Sequence, residues 1–325
     1  MVHEADEGRE RLGIDQYLVD PNLLGSEDPL LPLTSMGHGL PTLTPHRTQK
    51  TTHVMSVLNV TPDSFSDGGT NYDVDQEYLK SIVLRHVVDG ATIIDVGGQS
   101  TRPGSVQVSS SEELKRVLPA ISAIQSLNLH NVAISIDTYR ADVAEEAIKA
   151  GAHIINDVSA GLMDTAMLPT AAQLGCTICL MHMRGTPETM TSSENTSYPD
   201  GIVPTVGREL LERVRAAEAV GIRRWRITLD PGIGFAKTQE QNLELLRRFA
   251  ELRAYPGLEN FPWLVGTSRK AFIGHITGVK KAKDRTWGTS VSVAAAVQGG
   301  ADVVRVHDIK EMTQVAKMAD AIWRA

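Results

Sequence analysis

The chain has 325 residues, a formal charge of −7, 42% hydrophobic residues and 5% aromatic residues. That length supports a sizeable core in one large domain or two small ones, and few aromatics with abundant Ala, Gly, Val and Ile lean to α/β architecture rather than an all-β sandwich. The negative charge excludes a global attraction to nucleic acid or anionic membranes, and no stretch approaches the roughly 18–20 apolar residues of a spanning helix.

Residues 1–51 hold no lasting helical or strand period and read as a tail or linker. Leu23, Leu24, Leu30 and Leu31 are available there to pack on the domain that follows. Met1 to Arg11 sets Glu4, Asp6, Glu7 and Glu10 against Arg9 and Arg11. That is too acidic for a mitochondrial presequence and lacks the apolar centre of a secretory signal, so a reducing compartment is expected.

Residues 52–325 repeat one unit. A helical pattern ends in glycine, a short spacer follows, and an apolar run ends in a polar residue. Gly90 precedes Ile93-Ile94-Asp95, Gly151 precedes Ile154-Ile155-Asn156-Asp157, and Gly175 precedes the run to Met181-His182. Gly221 precedes Ile227-Thr228-Leu229-Asp230, and Gly300 precedes Val303-Val304-Arg305-Val306-His307-Asp308. Glycine takes the left-handed cap that ends a helix, and a run apolar on both faces marks a buried parallel strand. Val54–Leu58, Ala133–Ile136 and Trp263–Gly266 complete the strands.

Leu79, Ile82, Val83, His86 and Val87 recur at helical spacing, as do Leu114, Val117, Leu118 and Ile121. Ser110 and Glu113 predict a capping box at the start of that second helix. Eight strands alternating with helices fit a (β/α)8 TIM barrel of roughly 250 residues with its site at the C-terminal strand ends. A dinucleotide-binding sheet would carry a Gly-rich turn where Asn59-Val60-Thr61-Pro62 stands. Cys176 and Cys179 have redox or zinc spacing, but they sit in an apolar run and are expected to be buried core residues.

The strand ends and following turns carry Asn59, Asp95, Asp137, Asn156, His182, Asp230, Lys270, Arg305 and His307. One such residue is explained as a helix cap; so many on one face point to a binding pocket. Four segments are more specific: Asn59-Val60-Thr61-Pro62-Asp63-Ser64-Phe65-Ser66-Asp67-Gly68-Gly69, Gly97-Gly98-Gln99-Ser100-Thr101-Arg102-Pro103-Gly104, Leu229-Asp230-Pro231-Gly232-Ile233-Gly234-Phe235, and Ser268-Arg269-Lys270.

Together these segments resemble dihydropteroate synthases over about residues 53–325, in the eukaryotic and fungal form that is often fused to other folate enzymes. The resemblance implies a transferase of folate biosynthesis, a sulfonamide target. It would join 6-hydroxymethyl-7,8-dihydropterin pyrophosphate to 4-aminobenzoate with Mg²⁺ as cofactor. By resemblance Asp137, Asn156, Asp230 and Lys270 meet the pterin, while Met181 either lies against its ring or fills the core. Arg102, Arg305 and His307 meet the pyrophosphate, and Asn59 meets it through the metal. Phe65, Thr101, Pro103 and Lys270 enclose 4-aminobenzoate, Phe65 and Pro103 from lid loops. Lys270, Arg305 and His307 carry the catalysis. Ala271 departs from the pattern, which commonly has a hydroxyl residue there.

A homodimer is the family expectation. The location expected is cytoplasmic, or mitochondrial if the chain derives from a larger fusion. Two other readings stand beside this one: a barrel that shares the pterin pocket and passes a methyl group from methyl-tetrahydrofolate to a corrinoid, and a catalytically silent barrel that binds pterin or serves only as an assembly unit. The lid residues and the Ser268-Arg269-Lys270 run argue against the first, and the pair Arg305 and His307 against the second.

Overall fold

A computed structural model describes residues 34–36, 42–43, 50–61, 76–99 and 107–324. Two short strands, β1 (Thr34–Ser35) and β2 (Thr42–Leu43), pair antiparallel ahead of the repeating units. The units follow in chain order: β3 (His53–Asn59), α1 (Gln76–Val88), β4 (Ile93–Gly97), α2 (Ser110–Ser126), β5 (Ala133–Asp137), α3 (Ala141–Lys149), β6 (Ile154–Asp157) and α4 (Met167–Leu174). Then come β7 (Thr177–Met181), α5 (Ile202–Ala219), β8 (Ile227–Asp230), α6 (Gln239–Arg247), α7 (Phe249–Arg253), β9 (Leu264–Val265), α8 (Ala271–Thr277), α9 (Thr286–Gln298), β10 (Val303–Val306) and α10 (Ile309–Trp323).

The strands β3 to β10 form one parallel sheet in the order β8-β7-β6-β5-β4-β3-β10-β9. A parallel bridge between Leu229 and Trp263 joins its two edges, and Leu229 N–H donates to Pro262 O at 3.0 Å. The sheet therefore closes on itself as the (β/α)8 barrel that the sequence predicts. Trp263 is fully buried at this seam and packs edge-to-face on Phe249, ring centroids 5.5 Å apart.

Side-chain alternation divides each strand between two environments. Ile94, Val96, Ile134, Ile136, Ile155, Ile178, Leu180, Leu229, Val304 and Val306 belong to the large core shared with the surrounding helices. Met55, Ile93, Ala133, Ile154, Cys179, Leu264 and Val303 form a second cluster, which Met36 and Leu43 join. Met36 and Leu43 of the β1–β2 hairpin thus pack on the barrel, while Leu23, Leu24, Leu30 and Leu31 lie outside the described residues. Both cysteines are free and buried; burial pushes the Cys176 thiol up to about 11 and Cys179 well above its ordinary value.

The five glycines that close the repeating unit, Gly90, Gly151, Gly175, Gly221 and Gly300, all have positive φ. The capping box predicted at α2 is not formed. Ser109 is the N-cap and accepts from Glu112 N at 3.2 Å. Glu113 instead turns inward, buried, to pair with Arg140, and Ser110 bonds to Asp142. An ion pair reaching across to the residue before α3 wins over the local cap. The polar segment that follows Gly185 leads into α5, which begins at Ile202. No helix among the described residues is long and apolar enough to cross a membrane.

Candidate active site

Parallel strands in register bring their last residues to one mouth. Asn59 lies beside Gly97, Gly97 beside Asp137, Asp137 beside Asn156, and Met181 beside Asp230. Arg305 ties the group together. Its Nε donates to Asp95 Oδ2 at 2.6 Å and its Nη2 to Asp137 Oδ2 at 2.6 Å. Asn156 Nδ2 donates to the same Asp95 oxygen at 3.1 Å.

The second oxygens of Asp95 and Asp137 are buried without a hydrogen-bond partner among the described residues. Native proteins seldom leave such atoms unpaired, and a ligand donor is one way to satisfy them. Burial pushes Asp137 up to about 7 against the pull of Arg305, and the neighbouring Asp95 adds to the rise.

Asp230 is buried at the end of β8, and burial raises its carboxyl against the opposing charge of Lys270 and the Gly232 N–H. Gly232 N donates to Asp230 Oδ1 at 2.7 Å. Only glycine fits there. Its φ is +67°, and a Cβ would stand 1.9 Å from His182 O. Gly234 then bonds to Asn242 Oδ1 at 2.6 Å. Lys270 reaches over from the start of α8, donates to Ile233 O, and sits 4.5 Å from the Phe235 ring centroid. Burial lowers Lys270 to about 8, opposed by Asp230.

The three residues 268–270 each hold a different part of the mouth. Ser268 Oγ lies 3.2 Å from His307 N and 3.0 Å from His307 Nδ1, which fixes the imidazole. Arg269 pairs with Asp308, the N-cap of α10. Lys270 meets the Asp230 turn. The resemblance assigned a part only to Lys270 among these.

Met181 is buried with Tyr139, Val158, Met183, Met190 and Ala236, a cluster flanked by Phe235. A Cβ at Gly97 would come within 3.5 Å of Asn59 Oδ1 and 3.6 Å of Asp137 Oδ2, so glycine keeps the space between these two groups open. Among the described residues no three His, Cys, Asp or Glu side chains cluster as metal ligands. Phe65, Thr101, Arg102 and Pro103 lie outside the described residues.

Two features escaped the sequence. Asp95 was visible only as one polar strand end among several; its pairing with Arg305, 210 positions away, has no local signature. Lys237 follows the Asp230 turn with no spacing to mark it. Its Nζ lies 2.9 Å from His182 Nδ1 and donates to Phe235 O at 2.9 Å. His182 Nε2 lies 2.9 Å from Glu209 Oε2, and Arg184 pairs with the same carboxylate. Burial lowers His182 to about 4, so the ring is neutral, accepts from Lys237 and donates to Glu209.

Residues 55–307 match the family of pterin binding enzymes. A folic acid synthesis protein of Schizosaccharomyces pombe is 53% identical over 268 residues, which cover 82% of this chain and 36% of that protein. The chain thus spans about a third of the length of this fungal relative. A dihydropteroate synthase of Synechocystis is 47% identical over 276 residues, covering 85% of this chain and 91% of that one. The crystal structure of a Clostridium difficile dihydropteroate synthase in the presence of pteroic acid superposes with a TM-score of 0.77 at 40% identity, covering 86% of this chain and all of that one.

Proposed function

The chain belongs to the family of pterin binding enzymes, and on that premise we propose that it is a dihydropteroate synthase. It joins 4-aminobenzoate to 6-hydroxymethyl-7,8-dihydropterin pyrophosphate, forming 7,8-dihydropteroate and releasing pyrophosphate. The observation that carries this reading is the convergence of Asp137, Asn156, Asp230, Lys270 and Arg305 on one barrel mouth, with carboxylate oxygens left open to a ligand.

A pterin edge presents two adjacent N–H groups. A buried carboxylate that keeps acceptor capacity, Asp230, complements them, and Asn156 supplies both a donor and an acceptor. Lys270 donates at the carbonyl side. Arg305, His307 and the N-terminus of α10 supply positive charge and N–H groups for a phosphate. In the reaction the bond from the pterin methylene carbon to the pyrophosphate oxygen breaks, and that oxygen keeps the electron pair. The arylamine nitrogen donates its lone pair to the same carbon and then loses a proton to solvent. The ring delocalises the charge left on the methylene carbon, so departure precedes attack. Arg305 and His307 stabilise the leaving group, and no strong base is required.

Mg²⁺ fits this site through Asn59. Its neutral amide oxygen is a hard ligand beside an open space, and a divalent ion there would draw its other ligands from phosphate oxygens and water. When bound, the ion neutralises charge that develops on the departing pyrophosphate. The exposed Ile276, Trp287 and Val291 of α8 and α9 support a homodimer, which sedimentation would detect.

Calorimetry with a pterin tests the pocket. Asp230→Asn keeps the shape but exchanges an acceptor for a donor and removes the charge. It should weaken pterin binding by about 2–4 kcal/mol, roughly 30- to 1,000-fold. Wild-type affinity in this variant would reduce Asp230 to a support for its own turn.

A further inference from the structure

The turn after β8 is unusual in its backbone. Three alternate residues, Gly232, Gly234 and Ala236, have positive φ, and the third carries a side chain: Ala236 sits at +48° and is buried. An alanine in the left-handed region is strained and persists only where its surroundings hold it. Both peptide carbonyls around it are held. Lys237 Nζ takes Phe235 O at 2.9 Å, and Tyr198 OH takes Ala236 O at 2.9 Å. Lys237 itself is seated on His182 Nδ1 at 2.9 Å, and a Cβ at Gly232 would be 3.3 Å from its Nζ. The same turn carries Asp230 at one end and presents the Phe235 ring beneath Lys270.

We propose that Lys237 is a positioning residue of the pterin pocket. Its amino group, seated on His182 and bonded to Phe235 O, clamps the strained turn at Ala236 and so sets Asp230 and Phe235 for the ring. The anchorage runs outward through His182 to Glu209, which Arg184 fixes while stacking over Tyr198 at 4.2 Å. This ties the segment between β7 and α5 to the pocket. Tyr198 belongs to that segment and supplies the second clamp.

The identity of the ligand rests on the dihydropteroate synthase reading; the clamp does not. The test uses the full chain with Lys237→Met, Tyr198→Phe, Ala236→Gly and the double variant of Lys237→Met with Ala236→Gly. Calorimetry with a pterin and steady-state kinetics with both substrates are read together. Losing both Lys237 bonds from the clamp should raise the pterin Kd and the KM for dihydropterin pyrophosphate about 10-fold in Lys237→Met. The KM for 4-aminobenzoate should rise less, because the turn reaches the amine only indirectly, through its bond to Lys270.

Tyr198→Phe should give a smaller loss of the same kind. Ala236→Gly removes the strain that the clamp restrains, so in the Lys237→Met background it should recover part of the pterin affinity. Unchanged pterin binding in both Lys237→Met and Tyr198→Phe overturns the proposal. So does an equal rise in the KM of both substrates with no recovery from Ala236→Gly, which is the signature of a general loss of structure. A wild-type protein that binds pterin but makes no dihydropteroate sinks the functional reading instead, and the pterin Kd values still decide the clamp.

Discussion

Asp137 and Arg305 belong to one charge arrangement, and its protonation state has a consequence for ligand binding. Burial lifts Asp137 from an ordinary 3.8 to about 7 despite its bond to Arg305. Near neutral pH a proton on this carboxyl therefore competes with ligand donors for its buried Oδ1. A pterin ring N–H gains its stronger, charge-assisted bond to that carboxyl once the proton leaves. Binding should release protons below pH 7, approaching one per pterin, and affinity should climb as pH rises to about 7 and then level. Calorimetry in two buffers of different ionisation heat measures this. Asp137→Asn should abolish the release, and proton uptake by the wild type would contradict it.

The same shift has the opposite sign for stability. The folded state holds a proton that the unfolded chain has lost, so this group's contribution to stability falls as pH rises from 3.8 to about 7. At this scale Asn59, Asp137, Asn156, Asp230, Lys270 and Arg305 were legible because each stands at or just past a strand end. Asp95 had no assigned part and Lys237 was not marked, because their parts depend on partners that only the closed barrel supplies.

The turn following β8 shows how an element is fixed by close approach. Gly232 allows the chain to pass His182 O where a Cβ would overlap it at 1.9 Å, in a conformation that L side chains resist. Gly232→Ala must push the turn away from β7. It should cost roughly 2–4 kcal/mol of stability through strain and displaced bonds. A urea titration would show the lower midpoint, and pterin affinity should fall with it. A stable variant with unchanged affinity would mean that the turn is free to shift.

Other elements differed in how far the sequence revealed them. The helix-ending glycines at positions 90, 151, 175, 221 and 300 stated their conformation directly, and each has positive φ. The cap of α2 was displaced by one residue, because Glu113 found Arg140 across the fold and Ser109 took the local bond. The β1–β2 hairpin has two residues per strand, too short for any period to show.

For the whole molecule, the count and order of strands and the closed barrel followed from the repeated unit, whereas the contacts that make the seam did not. The seam between β8 and β9 rests on the bridge of Leu229 to Trp263, a pairing with no pattern in the sequence. A second tie joins the start of the barrel to its end: Thr52 N donates to Asp320 at 2.7 Å, and Arg324 donates to Thr52 Oγ1 at 2.7 Å and to Val297 O at 2.9 Å. Closure places the arginine of the last strand against the aspartates of the second and third, and the pocket exists only in that closed form.

The most direct test of this account supplies the full chain with dihydropterin pyrophosphate, 4-aminobenzoate and Mg²⁺ and measures both products. Dihydropteroate and pyrophosphate should form in equal amounts. A chelator should suppress turnover while the affinity for a pterin lacking the pyrophosphate is unchanged. Pterin binding without any carbon–nitrogen bond formation, in the presence of the metal and both substrates, would contradict this account.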